Sequence, residues 1–323
     1  MLRWIFLLIG LGLLGWIFAQ ADLDALIEAV SAIGWGAALV LAVYALVFTA
    51  DTGVWLLTIP SFPADVRHLY ASWKVRIVGE LFNVITPLAG FGGEPVKAAL
   101  LKRHYGVGLK EGTASVILYR TVTTLALVVF LCGGFALAMN APAFPPAQKS
   151  VAGAGLAALT LGIVLFFLVQ RFRITTLTGT WLSSLRIGRA LEGVLHHIRD
   201  VDERLVRFYT RDPRRLLAAL GFAALAWLLG ALEIYVALLF LGQPVSFWEA
   251  WIIEGAAQLV RAGTFLIPAS LGAQDGALLL VTTAMTGQPT TGLALAVVRR
   301  FRELVWLAGG ALVGWSFMQR ARG

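Results

Sequence analysis

With one cysteine, Cys132, the chain has no internal disulfide, and its cysteine usage says nothing of a redox compartment. Cys132 lies inside an apolar run and is expected to serve packing. Charge is scarce as well: 14% of the 323 residues are charged, against 59% hydrophobic residues and a mean hydropathy of +0.82. So thin a polar skin cannot cover that much apolar surface in water, which excludes soluble globular classes and makes lipid the solvent. The four histidines, His68, His104, His196 and His197, sit in polar connections, and no zinc-ligand spacing, Walker loop or dinucleotide fingerprint is present. No metal and no cofactor is expected. The net charge of +8 fits a positive-inside bias and anionic headgroups better than nucleic acid, which is not an expected partner.

Long apolar sequence is what the chain has in quantity. A spanning helix needs about 20 largely apolar residues, and six runs supply them, near 2–19, 34–59, 113–139, 151–170, 215–241 and 290–318. Barrel strands would alternate in polarity instead. Residues 21–33 carry Asp22, Asp24 and Glu28 without a base, whereas the connection after the second run holds Arg67, His68, Lys74 and Arg76. That asymmetry predicts a cytoplasmic N-terminus, and Arg320 and Arg322 predict a cytoplasmic C-terminus, in a bacterial inner membrane. Arg3, the apolar stretch after it and Ala19-Gln20-Ala21 also fit a cleavable signal peptide.

Two further apolar segments are interrupted. Near 77–104, Asn83, Pro87, Gly90, Gly92 and Gly93 break a stretch that has base on both sides, with Lys97, Lys102, Arg103 and Lys110 following. A full crossing would leave one basic flank outside, so this segment is predicted to enter and leave from the cytoplasm as a re-entrant hairpin. Near 248–287, Arg261, Pro268, Gly272, Asp275 and Gly276 break a second segment, and the number of crossings makes it a hairpin on the outer side. Irregular backbone at membrane depth survives only within protein or beside water. Pro87 and Pro268 are expected to make the breaks, and Gly90, Gly92, Gly93, Gly272 and Gly276 to permit tight reversal and close approach. The basic connection near 171–214 reads as an amphipathic helix in the cytoplasmic interface, with Leu191, Val194, Leu195 and Ile198 at helical spacing; a plain solvated helix is the alternative.

Opposed hairpins imply inverted halves, and the letters agree: Pro87-Leu-Ala-Gly-Phe-Gly-Gly-Glu94 aligns with Pro268-Ala-Ser-Leu-Gly-Ala-Gln-Asp275. The same register sets Arg120 beside Arg300, and Gly133-Gly134 answers Gly309-Gly310. The expected fold is all-α and polytopic, with about six long transmembrane helices and two oppositely oriented re-entrant hairpins in a 3+3 inverted repeat of 1–150 and 151–323.

Ionisable groups inside apolar runs are costly and therefore candidates for function. For substrate binding or coupling these are Glu80, Glu94, Arg120, Glu254, Arg261, Asp275, Arg300 and Glu303, with Asn83 as a neutral polar contact at the hairpin and Asp51, Glu233, Arg299 and Arg302 in similar surroundings. In the bland reading, Glu94 pairs with Arg120 and Asp275 with Arg300, clamping hairpin to helix, and Asp51 snorkels to the interface. In the functional reading, the arginines bind the phosphate of an anionic headgroup and the carboxylates serve proton coupling or gating.

The run Gly79-Glu80-Leu-Phe-Asn83-Val-Ile-Thr-Pro87, then Gly92-Gly93-Glu94-Pro95-Val96-Lys97 and the later Ile267-Pro268 with Gly272, resembles the flippase-like family that includes the transmembrane region of lysylphosphatidylglycerol synthases. Trp73 and the motifs after it are most similar to the small stand-alone branch linked to hopanoid lipids. The resemblance implies a membrane lipid-handling role, with translocation of lipid between leaflets, isoprenoid- or hopanoid-related lipids included; the inverted repeats add alternating access as its expected route, and the intramembrane arginines a polar-headed or anionic lipid as its expected substrate. Membrane lipids and proteins of lipid biosynthesis are the expected partners. The chain ends at Arg322-Gly323, with no room for an aminoacyl-transfer domain, so lysyl transfer is not expected; with no Asp-rich diphosphate motif or metal-ligand spacing, a transporter rather than an enzyme is expected. An intramembrane lipid-modifying enzyme and a non-transporting scaffold of a lipid-synthesis complex are the alternatives.

Overall fold

The computed structural model describes residues 23–85, 92–171 and 212–319, together with Gly12 and Gly15. The run near 2–19, the connection near 171–214, Pro87 and Gly90 lie essentially outside the described residues. Within them, all regular structure is helical: α1 (Leu23–Ala32), α2 (Gly36–Leu57), α3 (Val66–Ile85), α4 (Gly93–Tyr105), α5 (Leu109–Asn140), α6 (Pro146–Arg171), α7 (Pro213–Phe240), α8 (Phe247–Gly263), a 3₁₀ turn (Pro268–Ser270), α9 (Ala273–Thr286) and α10 (Pro289–Gln319). Among the described residues, α2, α5 and α7 are long and apolar enough to cross a membrane. The protein is therefore a polytopic helical membrane protein. α10 is long enough too, but Arg299, Arg300, Arg302 and Glu303 interrupt its apolar sequence.

Local chemistry sets the helix ends. Asp65 precedes α3 and accepts from the His68 amide at 2.8 Å, an N-cap bond. That bond, and a second from the His68 ring, hold the Asp65 carboxyl below the usual carboxylate range. A capping box of Ser246 and Glu249 opens α8. α4 ends at Gly106 and α9 at Gly287, with φ of 71° and 74°, a left-handed stop that glycine adopts without strain.

α2 and α7 lie antiparallel at the centre, where Gly36 leaves room for the Phe240 ring at one end and Gly53 for Phe222 at the other. α3 and α4 form a hairpin: Gly93 meets Gly79 and Asn83, while Lys97 lies along Gly79. α8 and α9 form a second hairpin across the 3₁₀ turn. Each hairpin's first limb packs on a long helix from the other half of the sequence. Gly309 and Gly310 of α10 receive Ile77 of α3, and Gly133 and Gly134 of α5 receive Trp251 of α8.

Several expectations are corrected. The first broken segment begins at Val66 rather than near 77, because Arg67 and Lys74 ride on a helix whose other face is buried. The acidic stretch expected to be a connection is partly α1, whose Leu26 is buried in the core shared with α10. Gly276 takes no part in a reversal; its amide donates to Gly272 within the first turn of α9, at 2.8 Å. Cys132 is exposed on the helix surface, not packed.

The two ends differ in charge. At one end the 58–65 loop is tied to α7 by Arg215, which donates to the carbonyls of Ile59, Pro60 and Phe62, and to α5 by the Ser61 amide donating to Glu111 at 2.9 Å. Exposed Arg67, Lys102, Arg103, Lys110 and Arg214 gather there. At the other end the loops after α5, α7 and α9 carry Pro142, Pro145 and Pro244, and Gln243 donates to Gln288 at 2.9 Å. Lys149 is the one base at that end among the described residues.

Candidate functional site

The second limb of each hairpin starts with an acid in its first turn, Glu94 in α4 and Asp275 in α9, where the helix dipole favours negative charge. Both acids reach an arginine of the long helix that follows. Glu94 Oε1 accepts from Arg120 Nε at 3.0 Å and Nη2 at 2.5 Å. Asp275 accepts from Arg300 Nε at 2.9 Å and Nη2 at 2.8 Å, one bond to each carboxylate oxygen. The clamping pairs of the bland reading are thus formed in both halves.

Around the first hairpin the clamp extends into a chain of charges. Lys97 Nζ donates to Glu94 at 3.4 Å and to Glu80 at 3.1 Å. Arg76 lies 4.0 Å from Glu80 and pairs with Asp51, and it donates to the Tyr119 hydroxyl at 2.9 Å. Tyr119 in turn donates to Asp51 at 2.7 Å. Asn83 bridges the neck of the hairpin, accepting from the Gly93 amide at 2.7 Å and donating to Glu80 at 3.3 Å. Gly93 sits there because a Cβ would lie 1.9 Å from the Gly79 carbonyl oxygen, so close approach rather than reversal is its role.

Three corrections follow. Asp51 does not snorkel; it is bound to Arg76 and Tyr119 inside the protein. Arg76 and Lys97, expected in basic flanks, are buried members of the network. Tyr119 carried no signal beyond its place beside Arg120, while Arg76 could have been found from its position one helical turn before Glu80 in an apolar stretch.

The second half is tied more tightly. Arg299 makes two bonds to Glu254, at 2.8 and 3.1 Å, and Gln258 adds a third to that carboxylate at 2.6 Å. Arg302 makes two to Glu233, at 2.5 and 2.7 Å. All four of these ionised side chains are buried, so each is neutralised where lipid or protein would otherwise oppose its charge. Arg300 also donates to Glu303 at 2.6 Å and to the Ala269 carbonyl at 3.3 Å, holding the broken backbone of the second hairpin. Pro268 starts that break, and Ala269 and Ser270 take positive φ of 51° and 47° beside Gly272 at 73°. A left-handed run of this kind costs non-glycine residues free energy, and the Arg300 bond helps fix it.

Exposure separates the groups that can meet a ligand from those that cannot. Glu254, Arg299, Glu233, Arg302 and Lys97 are sealed. Glu80, Arg120, Arg300 and Glu303 keep part of their surface open, and Arg261 is exposed with no ion pair among the described residues. The Arg302 guanidinium lies 3.9 Å over the ring of Tyr44 in α2, and the Arg76 guanidinium of α3 lies 4.6 Å over the ring of Phe48 in the same helix. Trp306 stacks edge-on to Tyr44 at 4.7 Å and lies 5.7 Å from Phe48, which contacts Trp73 at 5.4 Å. The charge network of the first hairpin, through Arg76 and Glu80, and that of the second, through Arg302, Glu303 and Arg300, therefore border one aromatic wall. No group of His, Cys, Asp or Glu able to hold a metal occurs among the described residues.

Comparison with known proteins places this architecture. A UPF0104 membrane protein of Methanothermobacter thermautotrophicus is 24% identical over 269 residues, covering 76% of this chain and 74% of that protein. The UPF0104 membrane protein PH1989 of Pyrococcus horikoshii is 26% identical over 214 residues, covering 60% of this chain and 61% of its own length. No solved structure matches significantly. Residues 3–310 match the family described as the lysylphosphatidylglycerol synthase TM region, to which this chain belongs.

Proposed function

We propose that the protein moves a polar-headed, anionic lipid between leaflets by alternating access, with 1–150 and 151–323 as inverted halves that rock about α2 and α7. A two-fold axis in the membrane plane would relate α2 to α7 and make them antiparallel, as they lie. The same axis would exchange the two glycine-pair seats and the two acid–arginine clamps. Six long helices and two opposed hairpins then complete the fold, and broken segments meeting between inverted repeats are the usual site architecture of secondary transporters. The exposed basic end suits the cytoplasmic side, with both termini there and the protein in a bacterial inner membrane.

The observation that carries the reading is that partly open Glu80, beside Arg76 over Phe48, and partly open Glu303, beside Arg302 over Tyr44, border one aromatic wall, with Arg261 exposed and without an ion pair among the described residues to offer a phosphate. Leaflet exchange of labelled phosphatidylglycerol and phosphatidylcholine in vesicles, with and without a proton gradient, tests it. The wild type should accelerate exchange of the anionic lipid, Arg261→Gln should reduce that rate about ten-fold, the weight of one charge-assisted contact, and Arg261→Lys should restore part of it. No acceleration with any headgroup would end the proposal. The sealed ion pairs give a scaffold reading some support, and full rescue of a deletion strain by Glu94→Gln and Arg120→Gln would favour it.

A further inference from the structure

An elongated groove of about 810 Å³ runs between α5, α6 and the outer faces of α8 and α9, within the ~300–1,000 Å³ span of small-molecule sites. Its walls are apolar from Phe135 and Leu159 to Leu259 and Leu280, and Gly155, Ala158 and Ala256 keep it deep where larger side chains would fill it. The polar residues that line it, Gln148 and Lys149, both stand in the first turn of α6. Its other end reaches Gly263, the last residue of α8 before the broken backbone of the second hairpin. A basic mouth at the loop end of a helix bundle and an apolar trough descending toward the hairpin tip match the shape of one phospholipid standing in a leaflet.

We propose that this groove binds an anionic diacyl phospholipid of the leaflet on the side of the α5–α6 loop, its phosphate at Lys149 and Gln148 and its chains along α6, α8 and α9. Charge decides the headgroup. Lys149 is the lone base at that end among the described residues, and the neighbouring loop segment with Phe144 offers it no acid. Lys149 Nζ donates to the Met139 carbonyl at 2.8 Å, a contact that uses one of the three donors of an ammonium and holds it at the mouth. The site differs from the charged centre at Tyr44: its walls hold none of the Asp, Glu or Arg residues of that centre. It requires only that the protein sit in a bilayer, and a protein that never translocated lipid would fill it too.

Native mass spectrometry of the full chain, released from nanodiscs of equal parts dioleoyl phosphatidylglycerol and dioleoyl phosphatidylcholine, reads the site directly. The wild type should retain phosphatidylglycerol in preference. Lys149→Gln should lower that preference about five-fold, the weight of one basic residue near a membrane surface. Gly155→Phe, whose Cβ starts 3.7 Å from Leu259, should fill the trough and remove the retained lipid of either headgroup. Both Gly155 and Ala158 are exposed, so Ala158→Trp provides a second filling variant, and an unchanged melting point shows that each variant is folded. Equal retention by wild type and both filling variants, or a mass shift equal to a second copy of the chain, would overturn the proposal. Leaflet exchange measured on the same samples reports on translocation separately: lipid retention lost with exchange intact supports a groove independent of transport, and retention intact with exchange absent sinks transport alone.

Discussion

The two hairpin clamps use the same residue types at nearly the same spacing, yet they are built differently. Arg300 grips Asp275 fork to fork and still has donors for Glu303 and the Ala269 carbonyl, and Asp275 is 2% exposed. Arg120 directs two donors at one oxygen of Glu94, where Lys97 also arrives, and the other oxygen, Oε2, is buried without a partner among the described residues. Arg120 itself is 41% exposed, against 19% for Arg300. The sealed pairs Glu233–Arg302 and Glu254–Arg299 deepen the contrast, for both belong to the second half. The second hairpin is bolted to its long helix, whereas the first is held by a charge network that can exchange partners. If one hairpin moves or yields its counter-ion to a ligand, it is the first.

The largest effect expected is on the sealed pairs. Arg302→Met leaves the Glu233 carboxylate buried in α7 without its cation, and breaking such a pair costs about 3–5 kcal/mol. Adding Glu233→Leu removes the stranded charge and should recover most of the loss, because two apolar side chains do not have to be desolvated as ions. Denaturant midpoints in detergent for the two single variants and the double variant measure this. A double variant as unstable as Arg302→Met would mean that the pair does more than neutralise itself.

Next come the clamps. Arg300→Gln should cost about 3 kcal/mol, because Asp275 is buried and loses two charged bonds. Arg120→Gln should cost nearer 1 kcal/mol, as for a partly exposed pair, since Lys97 remains beside Glu94. Thermal unfolding of the two variants side by side checks the order. Equal losses would remove the difference between the halves.

Much of this was legible in the sequence, and what was not has a physical reason. Composition dictated helices in lipid, and Pro268 with Gly272 marked a break that the structure places in a 3₁₀ turn with left-handed backbone. The clamps were legible because an acid after a glycine-rich break and an arginine on the next long helix have few other partners at that depth. Arg76 and Lys97 were misplaced because a base near an apolar run looks the same whether it faces water or an acid; Asp51 and Glu80 decide that, and their proximity is tertiary. The glycine pairs could be aligned between halves, but only the fold reveals that each receives a hairpin limb of the other half. Tyr44 left no trace in the pattern, since an aromatic in an apolar helix is ordinary until a buried guanidinium such as that of Arg302 lies over its ring.

The smallest difference concerns where each second limb touches its long helix. Gly112 and Gly292 are each the fourth residue of a long helix, α5 and α10, so replacement by alanine brings both the same intrinsic gain of about 1 kcal/mol. Both face main-chain atoms of the second limb, and what differs is how close those atoms come. A Cβ at Gly292 would lie 2.8 Å from the Leu279 Cα and carbonyl oxygen, main-chain atoms that can move only if α9 moves. A Cβ at Gly112 would lie 3.3 Å from the Ala98 Cα, a gap that a shift of a few tenths of an ångström relieves. Gly292→Ala should therefore lose about 1–2 kcal/mol net as overpacking exceeds the helical gain, while Gly112→Ala should keep its stability within a few tenths of a kcal/mol of the wild type, the small shift of α4 offsetting most of that gain. Because helix position and substitution are matched, any difference in melting point reports how freely each limb can slide on its helix. A first limb pair that tolerates alanine, beside a second that does not, puts the pivot at α9 and α10 and the moving contact at α4 and α5; the opposite order would exchange those roles.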